Sequence, residues 1–128
     1  MKQEDKELLL KDLCARLPYG VKINENTQGD FTVIGLTTER VFTTCGTEGC
    51  HNDFPIECVK PYLRPMSSMT DEERRMLDSM CNGVEMVSRL SGLKMFDKAF
   101  DWLNKNHFDY RCLIEKELAI DATGLNIY

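Results

Sequence analysis

The strongest constraint on this sequence is a change of period at Pro18. Before it, Leu9, Leu10, Leu13, Cys14 and Leu17 recur at helical spacing, with Lys6, Glu7, Lys11, Asp12 and Arg16 filling the other face. After it, Val21 and Ile23 alternate with Lys22 and Asn24, and Phe31 and Val33 resume the alternation beyond Asn26-Thr27-Gln28-Gly29-Asp30. A helix over residues 5–17, stopped by the proline, therefore leads into a hairpin. Thr38–Thr44 and Phe54–Val59 supply two more strands. Connections this short demand antiparallel pairing, because a parallel crossover takes about a dozen residues or more.

The second half returns to helix. Val59-Lys60-Pro61-Tyr62-Leu63-Arg64-Pro65 holds two prolines that remove backbone donors, so residues 61–69 read as a connector. Thr70-Asp71-Glu72-Glu73 is a capping box that starts a helix burying Met76, Leu77, Met80 and Cys81, with Val84 extending the stripe. Asn82-Gly83 weakens that helix, and Glu85–Leu90 reads as a second piece ahead of Ser91-Gly92. From Leu93 to Lys105, Phe96, Ala99, Phe100 and Leu103 share one face beside Trp102. Asn106-His107-Phe108-Asp109 breaks this helix, and Asp109 caps a last short one carrying Tyr110, Leu113, Ile114 and Leu118. Asp121–Tyr128 reads as a loose end or an added edge strand. The predicted fold is α+β: a small antiparallel sheet or SH3-like partial barrel over residues 20–60, flanked by the N-terminal helix and two to four C-terminal helices over 70–120. A chain of 128 residues makes residues 1–128 a single domain, since two halves would each be marginal alone.

Composition narrows the function classes. With 42% hydrophobic and 29% charged residues the chain has the make-up of a folded soluble protein. Sixteen Lys and Arg against 21 Asp and Glu give a net charge of -5, the wrong sign for a duplex DNA binder. The apolar runs are too short to cross a membrane, and the first residues carry both signs of charge with no export pattern. The expected location is the cytoplasm, with all six cysteines as reduced thiols.

Three segments carry a resemblance: Leu13-Cys14-Ala15-Arg16-Leu17-Pro18-Tyr19-Gly20-Val21, Lys60-Pro61-Tyr62-Leu63-Arg64-Pro65-Met66-Ser67-Ser68-Met69-Thr70, and Asn106-His107-Phe108-Asp109-Tyr110-Arg111. On these the chain resembles a group of small uncharacterised proteins of phages and mobile elements of gut Bacteroidales, a group with no assigned activity. Those relatives often show glycine where this sequence has Cys112 and Glu117, and a shorter, less cysteine-rich stretch around Cys45–Cys58. The resemblance implies an accessory protein of phage or mobile-element origin.

Four sets of residues are candidates for chemistry. Cys45, Cys50, His51 and Cys58 offer three thiols and an imidazole, the donor set of tetrahedral zinc, although the spacing lacks a paired C-x2-C knuckle. A plain hairpin loop with incidental thiols is the commoner outcome, no cofactor is expected, and Cys58, in phase with Phe54 and Ile56, reads as core. Either histidine beside a cysteine makes a formal nucleophile and base, but no oxyanion loop or acidic orienter accompanies them, so no enzyme is expected. Lys60, Tyr62, Arg64, Tyr110 and Arg111 mix cations with aromatic rings, the combination that binds single-stranded nucleic acid or a protein partner. Six of the seven methionines lie in the second half; Met76 and Met80 read as core, Met66 and Met69 as surface. The leading expectation is a non-enzymatic module that recognises a host or phage protein, with single-stranded nucleic-acid binding as the alternative and a structural zinc protein third.

Overall fold

The computed structural model describes residues 1–46, 49–81 and 89–128, with side chains from residue 94 onward in the last stretch. The elements, in chain order, are α1 (Gln3–Arg16), β1 (Lys22–Glu25), β2 (Gly29–Leu36), β3 (Arg40–Thr44), β4 (His51–Pro55), β5 (Val59–Pro65), α2 (Asp71–Cys81), α3 (Arg89–Lys105), β6 (Phe108–Asp109) and β7 (Ile120–Asp121). Pro18 ends α1 as the period change requires. A single 3-10 turn, Leu17–Tyr19, follows, and Gly20 closes it at φ 68 by donating its N–H to the Leu17 carbonyl.

The fold class is α+β, built on an open mixed sheet of strand order β4-β3-β2-β1-β5-β6, with β7 also paired to β5. β1 to β4 form an antiparallel meander, as short connections demand, and β5 returns to pair antiparallel with β1. β6 and β7 join β5 in parallel. The sheet is open, which corrects the partial barrel: β4 ends the sheet on one side, and among the described residues no pairing links it to the β5 side. Arg40 and Asp53 pair across that edge, and Pro55 removes a donor from it, two ways of blunting an open edge.

The expected connector is a strand. Lys60, Tyr62 and Arg64 send their backbone groups toward β1 and β6, for the Arg64 amide donates to the His107 carbonyl at 2.7 Å. Residues 61, 63 and 65 point to the opposite edge, where the Ala122 amide donates to the Leu63 carbonyl at 2.8 Å. Both prolines, Pro61 and Pro65, therefore lose their N–H on the edge where β7 covers only Tyr62 and Leu63, and no rung of the ladder is forfeited.

α1 covers the sheet by a stripe rotated from the expected one. Leu9, Asp12, Leu13 and Arg16 are the buried positions, while Cys14 is exposed. Leu9 and Leu13 join Val21, Ile23, Phe31, Val33, Val41, Phe54, Ile56 and Val59 in the main core. Leu63, Leu113, Leu118 and Ala119 form a second cluster, and Met69, Leu103 and Phe108 a third.

Several expectations about single residues are corrected. Cys58 is exposed, because a 3-10 turn over Ile56–Cys58 breaks the alternation that put it in phase with Phe54. α2 has no buried residue: Met76 is 50% exposed and only Leu77 packs on the third cluster. Met69 is core and Met66 is exposed, so the pair divides. Asp109 does cap, accepting from the Leu113 and Ile114 amides at 2.9 Å each, but residues 110–119 form turns in place of a helix. Cys112 and Glu117 break the run at φ 61 in both cases, the left-handed region where glycine costs least. Val84, Asn82-Gly83 and 85–88 of the expected second piece lie outside the described residues; α3 already includes Leu90 and Gly92.

Candidate functional site

The site is assembled where β1 stops, β6 begins and the tail returns. β1 pairs with β5 through Ile23 opposite Pro61, so the next rung sets Lys22 opposite Tyr62. That rung is spread and filled: the Lys22 amide donates to the Tyr128 hydroxyl, which donates to the Tyr62 carbonyl, both at 2.9 Å. Beyond it the edge of β5 is taken by β6, through Arg64 opposite Phe108.

His107 stands at the same seam. α3 ends at Lys105, and His107 adopts φ 61 just past it, its amide donating to the Asn104 carbonyl at 3.1 Å. This is a helix C-cap in left-handed conformation. The imidazole stacks on the Tyr128 ring, with centroids 3.6 Å apart and planes within 9°. Burial, helped by the charges of Arg16, Arg64 and Lys22, pushes its pKa down to about 4, so the ring is neutral at pH 7. Its Nδ1 is buried and makes no hydrogen bond among the described residues. Tyr128 leaves 48% of its surface exposed, yet its hydroxyl is enclosed between two strands, and that enclosure pushes the phenol up to about 12. The hydroxyl therefore stays a donor.

A cleft of about 520 Å³ opens beside this pair. Arg64, Ser68, Lys105, Asn106, His107 and Tyr128 line it, together with the turn that follows β7. Among the described residues two cations and no acidic side chain face it. Arg64 is held by Glu73, two bonds of 2.8 and 2.9 Å, and its guanidinium lies 4.1 Å from the Phe108 ring. Lys105 has no ion pair among the described residues. Lys22 reaches the rim of the cleft, its Nζ donating to the Ile127 carbonyl at 3.0 Å.

The five residues expected to form a basic, aromatic patch are spread through this region, and Tyr62, Arg64, Tyr110 and Arg111 are committed to contacts within the fold. Lys60 is exposed on β5 opposite Asn24. Tyr62 is 7% exposed and donates its hydroxyl to Asp30 at 2.6 Å. Arg64 is tied to Glu73. Arg111 donates to Asp12 at 2.8 Å and lies 4.5 Å from the Tyr110 ring, while the Tyr110 hydroxyl donates to Asn104 at 3.1 Å. Arg64 alone of the five lines the cleft.

The structure does not bring the expected zinc set together. Cys45 and Cys50 form a disulfide across the β3–β4 loop, which also corrects the expectation of six reduced thiols. The oxidised pair cannot ligate, because a metal binds the thiolate. His51 is exposed at the start of β4, Cys58 lies beyond the strand, and among the described residues no group of three or more His, Cys, Asp or Glu is arranged to hold a metal. Thr47 and Glu48, in the loop expected to wrap an ion, lie outside the described residues.

Sequence reasoning missed Tyr128, Lys105, Lys22 and Asn106. Residues 22, 64, 105 and 128 come from four separate segments, and no spacing links them. The signal that did exist was His107, a ring in a helix break where glycine or asparagine serves as well. Comparison of the chain with protein-family models, with curated proteins and with solved structures returned no match.

Proposed function

We propose that this chain is a binding module for a protein partner, and that the cleft between α3, β5 and the tail takes an acidic segment of that partner. The observation that carries the reading is the lining: on a chain of net charge -5, Lys105 and the Glu73-paired Arg64 face the cleft with no acidic side chain among the described residues that line it, and Lys22 stands at its rim. Such a local inversion of charge steers and orients an acidic segment. The resemblance to phage and mobile-element proteins fits a partner from the phage or its host. Single-stranded nucleic acid is the less favoured occupant, because Tyr62 is buried with its hydroxyl on Asp30 and Tyr110 lies outside the cleft with its hydroxyl on Asn104, leaving few free rings on which bases could stack.

Fluorescence anisotropy with a labelled oligo-glutamate peptide tests this reading. Binding that weakens with salt, and by about tenfold in Lys105→Glu or Lys22→Glu, is the expected result. Binding of labelled oligothymidylate in place of the peptide transfers the site to nucleic acid, and a peptide affinity indifferent to both reversals overturns the assignment of the cleft.

A further inference from the structure

Tyr128 is held as a bound ligand is held. One backbone amide and one backbone carbonyl, from Lys22 and Tyr62, meet its hydroxyl at 2.9 Å each, and a flat neutral ring meets its face at 3.6 Å. A donor, an acceptor and a stacking platform are together the complement of a phenol.

The slot is part of the rigid fold, and its occupant is not. Lys22 belongs to β1 and Tyr62 to β5, both paired on further strands, and His107 is fixed by the end of α3 and by the Arg64 amide on its carbonyl. The tail is attached by much less. After Ala122, the backbone contacts that hold it among the described residues are the Thr123 amide on the Asp121 carboxylate, the Leu125 amide on the Ala122 carbonyl and the Lys22 ammonium on the Ile127 carbonyl. Leu125 is 50% exposed, and Asn126 sits at φ 52. Segments with few buried apolar contacts open at lower cost than paired strands, so the tail is the part of the seam that can leave while the sheet stays intact.

His107 points the same way. A glycine or asparagine caps a helix in this conformation with less strain, and among the described residues the imidazole makes no hydrogen bond through Nδ1. Among the described residues, the ring contact recorded for it is the stack on Tyr128.

We propose that the seam between β1 and β6 is a binding slot for a tyrosine side chain, filled in this structure by the chain's own Tyr128, and that a tyrosine within an acidic segment of the partner displaces Tyr128 to enter it. The partner chemistry rests on the reading of the cleft as a docking site for acidic protein, since Lys22 and Arg64 flank the slot and Lys105 lines the cleft it opens into. The slot itself stands on the Tyr128 geometry alone. Binding is then a competition, in which the tail lowers the apparent affinity of the partner by the fraction of time it occupies the seam.

Tyr128→Ala vacates the slot, and p-cresol, the tyrosine side chain as a free molecule, is the probe. Millimolar p-cresol is expected to raise the melting temperature of Tyr128→Ala by about 3 °C, with a smaller rise for the unsubstituted chain and for toluene, which lacks the hydroxyl. Should Tyr128→Ala not fold, Tyr128→Phe keeps the ring and drops both hydroxyl bonds; a labelled Glu-Glu-Tyr-Glu-Glu peptide is then expected to bind it several-fold more tightly than it binds the unsubstituted chain. Equal stabilisation by p-cresol and toluene makes the seam an ordinary apolar gap and overturns the proposal. So does inert p-cresol together with equal peptide affinities, even where oligo-glutamate binds the cleft; bound p-cresol with no oligo-glutamate binding sustains the slot and removes only the acidic partner.

Discussion

Removing the Asp12 carboxylate would leave two guanidiniums without a counter-charge, one of them fully buried. Asp12 and Arg16 are both 0% exposed; Arg16 donates to Asp12 at 2.9 and 3.0 Å and to the Phe108 carbonyl at 2.6 Å, and Arg111 adds a bond of 2.8 Å to the same carboxylate. This cluster clamps α1 to β6. Breaking one partner of a buried pair costs about 3–5 kcal/mol, because the other charge stays desolvated and unpaired. Asp12→Asn is expected to lose about that much in urea denaturation, and the double change Asp12→Leu/Arg16→Met to lose less than the single one, since it leaves only the partly exposed Arg111 unpaired. A double variant worse than the single would refute the clamp. None of this was legible beforehand, although the spacing was: positions 9, 12, 13 and 16 stand at i, i+3, i+4 and i+7, a complete buried stripe whose charged half sends a hydrophobicity reading to the neighbouring face. The opposite kind of strain sits at Glu117, exposed at φ 61. Glu117→Gly is expected to raise stability by about 1 kcal/mol, read as a higher urea midpoint with an unchanged slope.

At the scale of elements, the periodic segments were legible and the exceptions were those where tertiary context decided. Alternation around the Asn26–Asp30 turn located β1 and β2, and Thr70 with Glu73 located the start of α2, where the Glu73 amide donates to the Thr70 hydroxyl at 3.2 Å and the Thr70 amide to the Glu73 carboxylate at 3.0 Å. β5 was hidden by its prolines, because only the pairing shows that both fall on the sparsely covered edge. α2 buries nothing outright, so the cap and the Arg64 clamp on Glu73 hold much of it in place. Arg64 keeps the Glu73 carboxyl down at about 2. Glu73→Ala removes cap and clamp together, and amide hydrogen exchange across Asp71–Cys81 is expected to quicken at least about tenfold while β1 to β3 are unaffected. Equal quickening in the sheet would show that α2 is no separate unit. The β3–β4 loop adds a chemical check: alkylation of the unreduced, denatured protein is expected to label Cys14, Cys58, Cys81 and Cys112 and to spare Cys45 and Cys50. Labelling of all six would return the loop to free thiols.

For the molecule as a whole, the net charge of -5 was legible and its distribution was not. The cations beside the cleft come from β1, β5 and α3, and they converge because β1 and β6 both pair with β5 and β6 follows directly on α3. Burial of His107 at the seam, with Arg16, Arg64 and Lys22 around it, makes the fold acid-sensitive. Its pKa is about 4 in the folded protein against 6.5 unfolded, so between those values the unfolded chain binds a proton that the folded one refuses. Stability must then fall as pH drops through that window, by about 2 kcal/mol between pH 7 and pH 5 from this group alone. Glu73 acts lower down: depressed from 4.5 to about 2, its contribution is complete above pH 4.5 and fades toward pH 2, where α2 loosens. A charged His107 has Arg16, Arg64 and Lys22 around it, so protonation is expected to destabilise the stacked arrangement with Tyr128. His107→Asn tolerates the left-handed backbone and does not titrate. Thermal unfolding over a pH series is expected to give a steep loss of stability below pH 6.5 for the unsubstituted chain and a flat profile down to about pH 5 for His107→Asn, whatever the offset between the two curves at pH 7. Parallel curves would place the acid sensitivity elsewhere and deny the seam its part in holding the fold together.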